Sequence, residues 1–288
     1  MKKNLKKKLK KAKLNRNLGF NLEKEKLDRK PDLYRFGASP QKCLAEIPEG
    51  DRDVFLPVGE LQFGREDFMD CASRSPLNLL EAKFNWLIRN NKLSEELTEW
   101  LHDEGYLTSQ GVEFSDRFIA VLSGTSRSGN SLVAPIHAIH KYGLIPKKTL
   151  PRRSDMNWEE YHTGVTEEMK KLGQDFLARF SVGYEEVQEP QFEELLKRDM
   201  LACAGYAWPQ PVNGEYGRVD YTPNHAFLVY KNLYFAFDNY LVSESFVKKL
   251  TKDYDFLGYG YRLFISLNTK KKGLTWRDLI CRFFGKKV

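Results

Sequence analysis

Cys71 and His225 are the residues of this 288-residue chain whose types and settings suit covalent chemistry. Cys71 stands in FMDCASRSPLNLLE, just before a segment with helical apolar spacing at Leu77, Leu80, Phe84, Leu87 and Ile88. A cysteine beside a helix N-terminus feels the positive end of the dipole, which favours thiolate. Thiolate is the nucleophile of acyl transfer, and it needs a base to take its proton. His225, one of five histidines, opens the apolar run HAFLVY and is the candidate base. A hairpin supplies its partner. A two-residue turn at Lys231-Asn232 sets His225 across from Asp238, and a three-residue turn sets it across from Asn239. Either side chain accepts the ring N–H and fixes the tautomer and orientation of the imidazole.

Helices carry the first of these residues and strands the second. Ser75-Pro76 reads as a cap followed by proline, which starts the first helix at Ser75 or kinks it. Ser94 opens a second helix that Gly105 closes, Ser115 opens a third, and Leu132 to Tyr142 forms a fourth closed by Gly143. One longer helix is expected over 157–180 and a short one over 191–200. Beyond residue 205 the texture turns to β, with Ala226–Tyr230, Leu233–Phe237 and the alternating GYGYRLFISL of 258–267. Helices first and strands last is the order of an α+β fold with an antiparallel sheet.

Charge divides the chain differently. Residues 1–30 hold 13 Lys+Arg and 3 Asp+Glu, so they carry +10, while the remaining 258 residues sum to −3. The overall +7 therefore describes a basic arm on a mildly acidic body, not a basic protein. The arm is expected to meet nucleic acid, an anionic surface or an acidic protein partner. Its removal is expected to leave the chemistry of the body intact. We divide the chain into a basic arm and Pro-rich lead-in (1–49), a folded body (50–268) and a basic amphipathic tail (269–288). No apolar run approaches the ~18 residues of a membrane span, and no apolar stretch follows the N-terminal lysines. Four cysteines, far apart and without a CxxC pair, point to a reducing, cytoplasmic compartment.

DCASRSPLNLLE resembles the nucleophile helix of papain-like cysteine peptidases, whose pattern reads CWAFSAxxxxE: Cys71, Ser75 and Glu81 match its Cys, Ser and Glu. PNHAFLVY resembles the NHAV strand of the general base, and AFDNY the stretch that carries the orienting side chain. PIHAIHKYGLIP resembles AxxYIxxxGI, and the loop SGTSRSGNS the Gly-rich edge of the substrate cleft. Four motifs in the right order cover roughly residues 50–268, with a texture like that of bacteriophage-encoded members of the family. The resemblance implies a two-lobe fold and a peptidase with Cys71 as nucleophile, His225 as base and Asp238, or alternatively Asn239, as orienting residue. It implies a peptide or protein substrate and no cofactor. A bacteriophage protein would sit in the host-cell cytoplasm or on the virion.

The sequence also departs from the pattern. Ala72 replaces the Trp after the nucleophile, Pro76 falls early in the helix, and Arg65 stands where the oxyanion glutamine is expected. Gln62 is the candidate oxyanion donor beside the backbone N–H of Cys71. No inhibitory pro-segment of the family's type is visible. The alternatives are an amidase or peptidoglycan hydrolase on the same fold, or a structural protein of a phage particle whose site is vestigial. GTSRSGNS lacks the lysine of a phosphate-binding loop, and His137 and His140 have no third ligand at metal spacing, so neither a nucleotide nor a metal is expected.

Overall fold

A computed structural model describes residues 19–30, 35–38, 43–50, 52–219, 221–232, 234–242 and 245–268. The tail at 269–288 and residues 1–18 of the arm lie outside the described residues. The chain opens with α1 (Leu22–Asp28), capped by the Asn21 side chain. Next come α2 (Cys71–Arg89), α3 (Glu95–Asp103), the short hairpin β1 (Leu107–Thr108) and β2 (Gly111–Val112), α4 (Asp116–Leu122) and α5 (Val133–Tyr142). They are followed by α6 (Trp158–Tyr161), α7 (Glu167–Leu177), β3 (Phe180–Gln188), α8 (Phe192–Leu196) and β4 (Leu201–Gly205). The sheet is completed by β5 (Glu215–Tyr216), β6 (His225–Lys231), β7 (Phe235–Val242), β8 (Ser245–Leu250) and β9 (Phe256–Leu267). Its order is β3-β9-β4-β6-β7-β8-β5, antiparallel throughout except for the β5–β8 pair. This is the α+β arrangement expected, with the helices ahead of the sheet.

The helix α2 is the hub. Sixteen of its 19 residues are buried, so apolar spacing alone cannot describe its surroundings. Its buried polar side chains, Ser73 excepted, each find a partner on another element. Glu81 accepts from Phe114 N–H, the Asn85 amide bonds Val112 N–H and Phe55 C=O, and Ser75 Oγ donates to Phe227 C=O on β6. Burial holds the Glu81 carboxyl well above the usual carboxylate range. Lys83 and Arg262 of β9 converge on Asp199 at 2.6 and 2.8 Å, in a site closed to water.

Three expectations differ from the structure. Pro76 neither delays nor starts α2, which begins at Cys71 and carries the proline inside it. The missing N–H forfeits only the bond to Ala72 C=O. The segment 157–180 is two helices, because Gly164 takes a positive φ of 90° and Thr166 caps a fresh start. The strand at 258–267 is buried on both faces over 259–265: Tyr259, Tyr261, Leu263 and Ile265 enter the main core cluster, and Arg262 pairs with Asp199 and Glu185 on the opposite face. Residues 19–30, which the charge pattern groups with the arm, are packed against the body. Glu25 is fully buried beneath α1, and Arg29 makes two hydrogen bonds to Glu186 on β3, at 2.7 and 2.6 Å.

Candidate active site

Cys71 is the first residue of α2, and Ser73 and Arg74 N–H close the first turn on Asp70 C=O. The thiol therefore sits at the positive end of a 19-residue helix. Its other neighbours come from the sheet. Ala226 N–H points at Sγ at 3.3 Å, and the thiol shares a side-chain hydrogen bond with His225. The helix thus delivers the cysteine and β6 delivers the histidine to one point, held together by the bond from Ser75 to Phe227.

On its far side His225 Nε2 lies 2.6 Å from Asp238 Oδ1. The strand register that brings them together is not the expected one. Leu228 pairs with Phe237 and Val229 with Ala236, and a bulge follows at Lys231–Phe235. Extended, that register sets Asp238 across from Phe227, diagonal to His225 on the same face of the sheet, still within side-chain reach. The connection is longer than two residues. Asn232 adopts φ 33° and its side chain accepts from Tyr234 N–H. Asn239 faces the other way, with its amide bonded to Asn78 and to Glu60 C=O.

Burial sets the electrostatics: Cys71, His225 and Asp238 are 1 %, 0 % and 1 % exposed. Burial pushes the Cys71 thiol up, against the pull of the His225 imidazole. Burial alone would depress His225, but the Asp238 carboxylate and the thiol outweigh it and hold the imidazole well above its ordinary range. His225 is thus fixed between a carboxylate and a sulfur.

Gln62 is fully buried and donates through Nε2 to Asp67 Oδ1 at 2.7 Å and to Tyr240 Oη at 3.3 Å. The Tyr240 ring stands edge-on to His225, centroids 4.8 Å apart, which links the glutamine to the imidazole. Trp208 Nε1 donates to the second Asp238 oxygen at 2.5 Å. Asp67, Tyr240 and Trp208 are absent from the sequence reading. Their only sequence signal was an aromatic in the loop GYAWPQP and a Tyr two residues past Asp238. Ala72, in the place where the family pattern has Trp, is fully buried in the core. His137 and His140 bond separately, to Tyr184 Oη and Val182 C=O. Among the described residues no cluster of His, Cys, Asp and Glu is suited to a metal, and no helix is long and apolar enough to cross a membrane.

No family model matches the sequence, and no curated protein sequence matches it. Solved structures do. The mite allergen structure comparing Blo t 1 and Der p 1 superposes with a TM-score of 0.50 at 10% identity, covering 85% of this chain and 78% of that one. Digestive procathepsin L 3 of Tenebrio molitor larval midgut gives 0.48 at 13% identity, covering 86% and 76%. Xylellain, a cysteine protease from Xylella fastidiosa, gives 0.41 at 14%, covering 83% and 97%. These are papain-like cysteine proteases, and at such identities the likeness is one of fold. Helical part first, antiparallel sheet second, with α2 running between them: the chain has the papain-like fold.

Proposed function

We propose that the chain is a cysteine peptidase with Cys71 as nucleophile, His225 as base and acid, and Asp238 as the group that orients His225. The observation that carries this reading is the unbroken line from Cys71 at the start of α2, through the His225 ring, to Asp238 at 2.6 Å. With Nε2 held by the carboxylate, Nδ1 serves the thiol. Proton transfer from Sγ to the imidazole gives a thiolate–imidazolium pair. The thiolate attacks the peptide carbonyl carbon. His225 then protonates the leaving amine, and a thioester remains on Cys71. Water, deprotonated by His225, attacks the thioester and releases the acid and the thiol. The Cys71 N–H and Gln62 Nε2 are the donors assigned to the oxyanion.

A Cys71→Ala variant is expected to lose cleavage of denatured casein and labelling by a thiol-directed epoxide. Full labelling of that variant would show that the reactive residue lies elsewhere. Release of muropeptides from purified cell wall with casein left intact would assign the same site to wall hydrolysis instead. A variant that behaves like the wild type throughout would mark the site as vestigial.

Residues 1–18 hold nine Lys+Arg and no acidic residue, and we assign them to an anionic partner. Nucleic acid, anionic vesicles and acidic proteins are told apart by binding assays at rising salt, and only contacts made by the arm weaken when it is neutralised.

A further inference from the structure

Asn239 follows Asp238 on β7 and turns away from His225, into a seam between the sheet, α2 and the loop that carries Gln62. The β7–β8 ladder is interrupted between Phe237 and Val242. Within that interruption the Asn239 carbonyl accepts from Gln62 N–H at 2.8 Å. The Asn239 N–H donates to Asp238 Oδ1 at 2.7 Å, so its main chain touches both the loop and the carboxylate.

The side chain spans the same seam. Nδ2 donates to Glu60 C=O at 2.9 Å, and Oδ1 accepts from Asn78 Nδ2 on α2 at 2.8 Å. A carbonyl only accepts, so the Glu60 oxygen decides which end of the Asn239 amide faces the loop. The other end then faces Asn78, which must donate. Both asparagines are buried, where an amide left without its partners is costly. The Glu60 carboxylate adds a second tie, to Lys147 and, at 3.6 Å, to Arg74 of α2.

Three successive residues of β7 therefore serve three parts of the site. Asp238 holds His225 Nε2, and Tyr240 Oη accepts from Gln62 Nε2 and donates to Asp67. Between them Asn239 faces the opposite side, as strand alternation requires, and holds the main chain of 60–62 against α2.

We propose that Asn239 is a positioning residue for the oxyanion donor. It fixes the loop bearing Gln62 to the helix bearing Cys71, so that amide and thiol keep one spacing. It acts through Gln62 and touches no substrate. The proposal rests on the peptidase reading, in which Gln62 meets the oxyanion.

The test is kinetic. Asn239→Ala removes the amide and keeps the main-chain bond to Gln62. Its kcat on a peptide substrate is expected to fall about 10- to 10²-fold with KM changed less than about threefold, the effect of a donor displaced by about 1 Å. Alkylation of Cys71 by iodoacetamide forms no oxyanion, so its rate should stay within about twofold of wild type. In a Gln62→Ala background the same substitution should cost less than about threefold in kcat, because the group it positions is already gone.

Asn239→Asp is the second variant, and it carries the test if thermal melts show Asn239→Ala unfolded. Protonated, the new carboxyl donates and accepts like the amide; ionised, it only accepts. Its kcat relative to wild type is expected to rise as pH falls, while that of Asn239→Ala stays flat. Glu60, Glu81, Glu113, Asp116, Arg74 and Lys147 line the same cavity in both proteins, so the ratio isolates the new group. Losses that add in full in the double variant, a loss confined to KM, or an Asn239→Asp ratio as low and flat as that of Asn239→Ala would each overturn the positioning role. Alkylation that slows in step with kcat would overturn it as well and assign Asn239 to His225. A wild-type chain that is alkylated at Cys71 but cleaves no peptide would overturn the peptidase reading, and the positioning role with it.

Discussion

His225 and Asp238 sit diagonally on neighbouring strands, Nε2 to Oδ1 at 2.6 Å, in a place where neither side chain meets water. A carboxylate in that setting fixes the ring and stabilises its protonated form, while Trp208 holds the second oxygen so the carboxylate cannot turn away.

Asp238→Ala is therefore expected to lower kcat/KM by about 10²- to 10⁴-fold, with most of the loss in kcat. Asp238→Asn keeps an acceptor of the same shape and should fall less. Steady-state kinetics on a peptide substrate decide this. Equal activity of wild type and Asp238→Ala would remove Asp238 from the mechanism.

The pair shows how far sequence reaches. Hairpin reasoning left Asp238 and Asn239 open across from His225; the longer connection sets Asp238 diagonally on the same face, because side chains alternate and parity decides the face. Caps at Ser94 and Ser115 were readable for the same local reason. The start of α2 was not, because Pro76 outweighed a tertiary setting in which Asp70 and Arg74 are buried together. The close approach of Gly19 to the thiol was unreadable. Gly19 matters only through Cys71 and Gly129, which lie 52 and 110 residues further along the chain, and charge counting assigned it to the arm.

Gln62 Nε2 uses both its hydrogens on Asp67 and Tyr240, so it serves an oxyanion only by giving up one of these bonds, the longer one to Tyr240 first. Replacing it with alanine should reduce kcat about 10²- to 10³-fold and leave KM nearly unchanged. Asp67→Asn should show a smaller loss, also in kcat, because Asp67 acts through Gln62. An effect of Gln62→Ala confined to KM would place the residue in substrate binding instead.

Asp199 holds two cations in the core, Lys83 at 2.6 Å and Arg262 at 2.8 Å, and neither Asp199 nor Lys83 is exposed. Asp199→Ala strands the Lys83 charge and takes one of three carboxylates from Arg262 without changing any candidate catalytic group. Breaking a buried pair in this way costs about 3–5 kcal/mol. Urea denaturation should show the loss as a lower midpoint with a similar slope. A midpoint within error of the wild type would mean that Glu185 and Glu46, the other carboxylates on Arg262, compensate.

Asp70 precedes the nucleophile and shares Arg74 and Tyr161 with Asp116. Burial pushes the Asp70 carboxyl up to about 6, while Arg74 keeps that of Asp116 below its usual value, so Asp70 is the member that retains a proton. An unfolded aspartate titrates near 3.9. Because the folded value is the higher one, the stabilisation it contributes is fully present below about 3.9 and lost as pH rises through about 6. Asp70→Asn has no such titration, so its stability relative to wild type should rise across that window. The thiol feels the same event: charged Asp70 raises the Cys71 pKa. In Asp70→Asn the midpoint of the pH–alkylation profile at Cys71 should therefore move to lower pH. The variant should outpace wild type above pH 6 and converge with it below, where Asp70 is protonated in both the folded wild type and, in effect, its amide mimic. A midpoint that stays put or moves upward would separate Asp70 from the ionisation of the nucleophile.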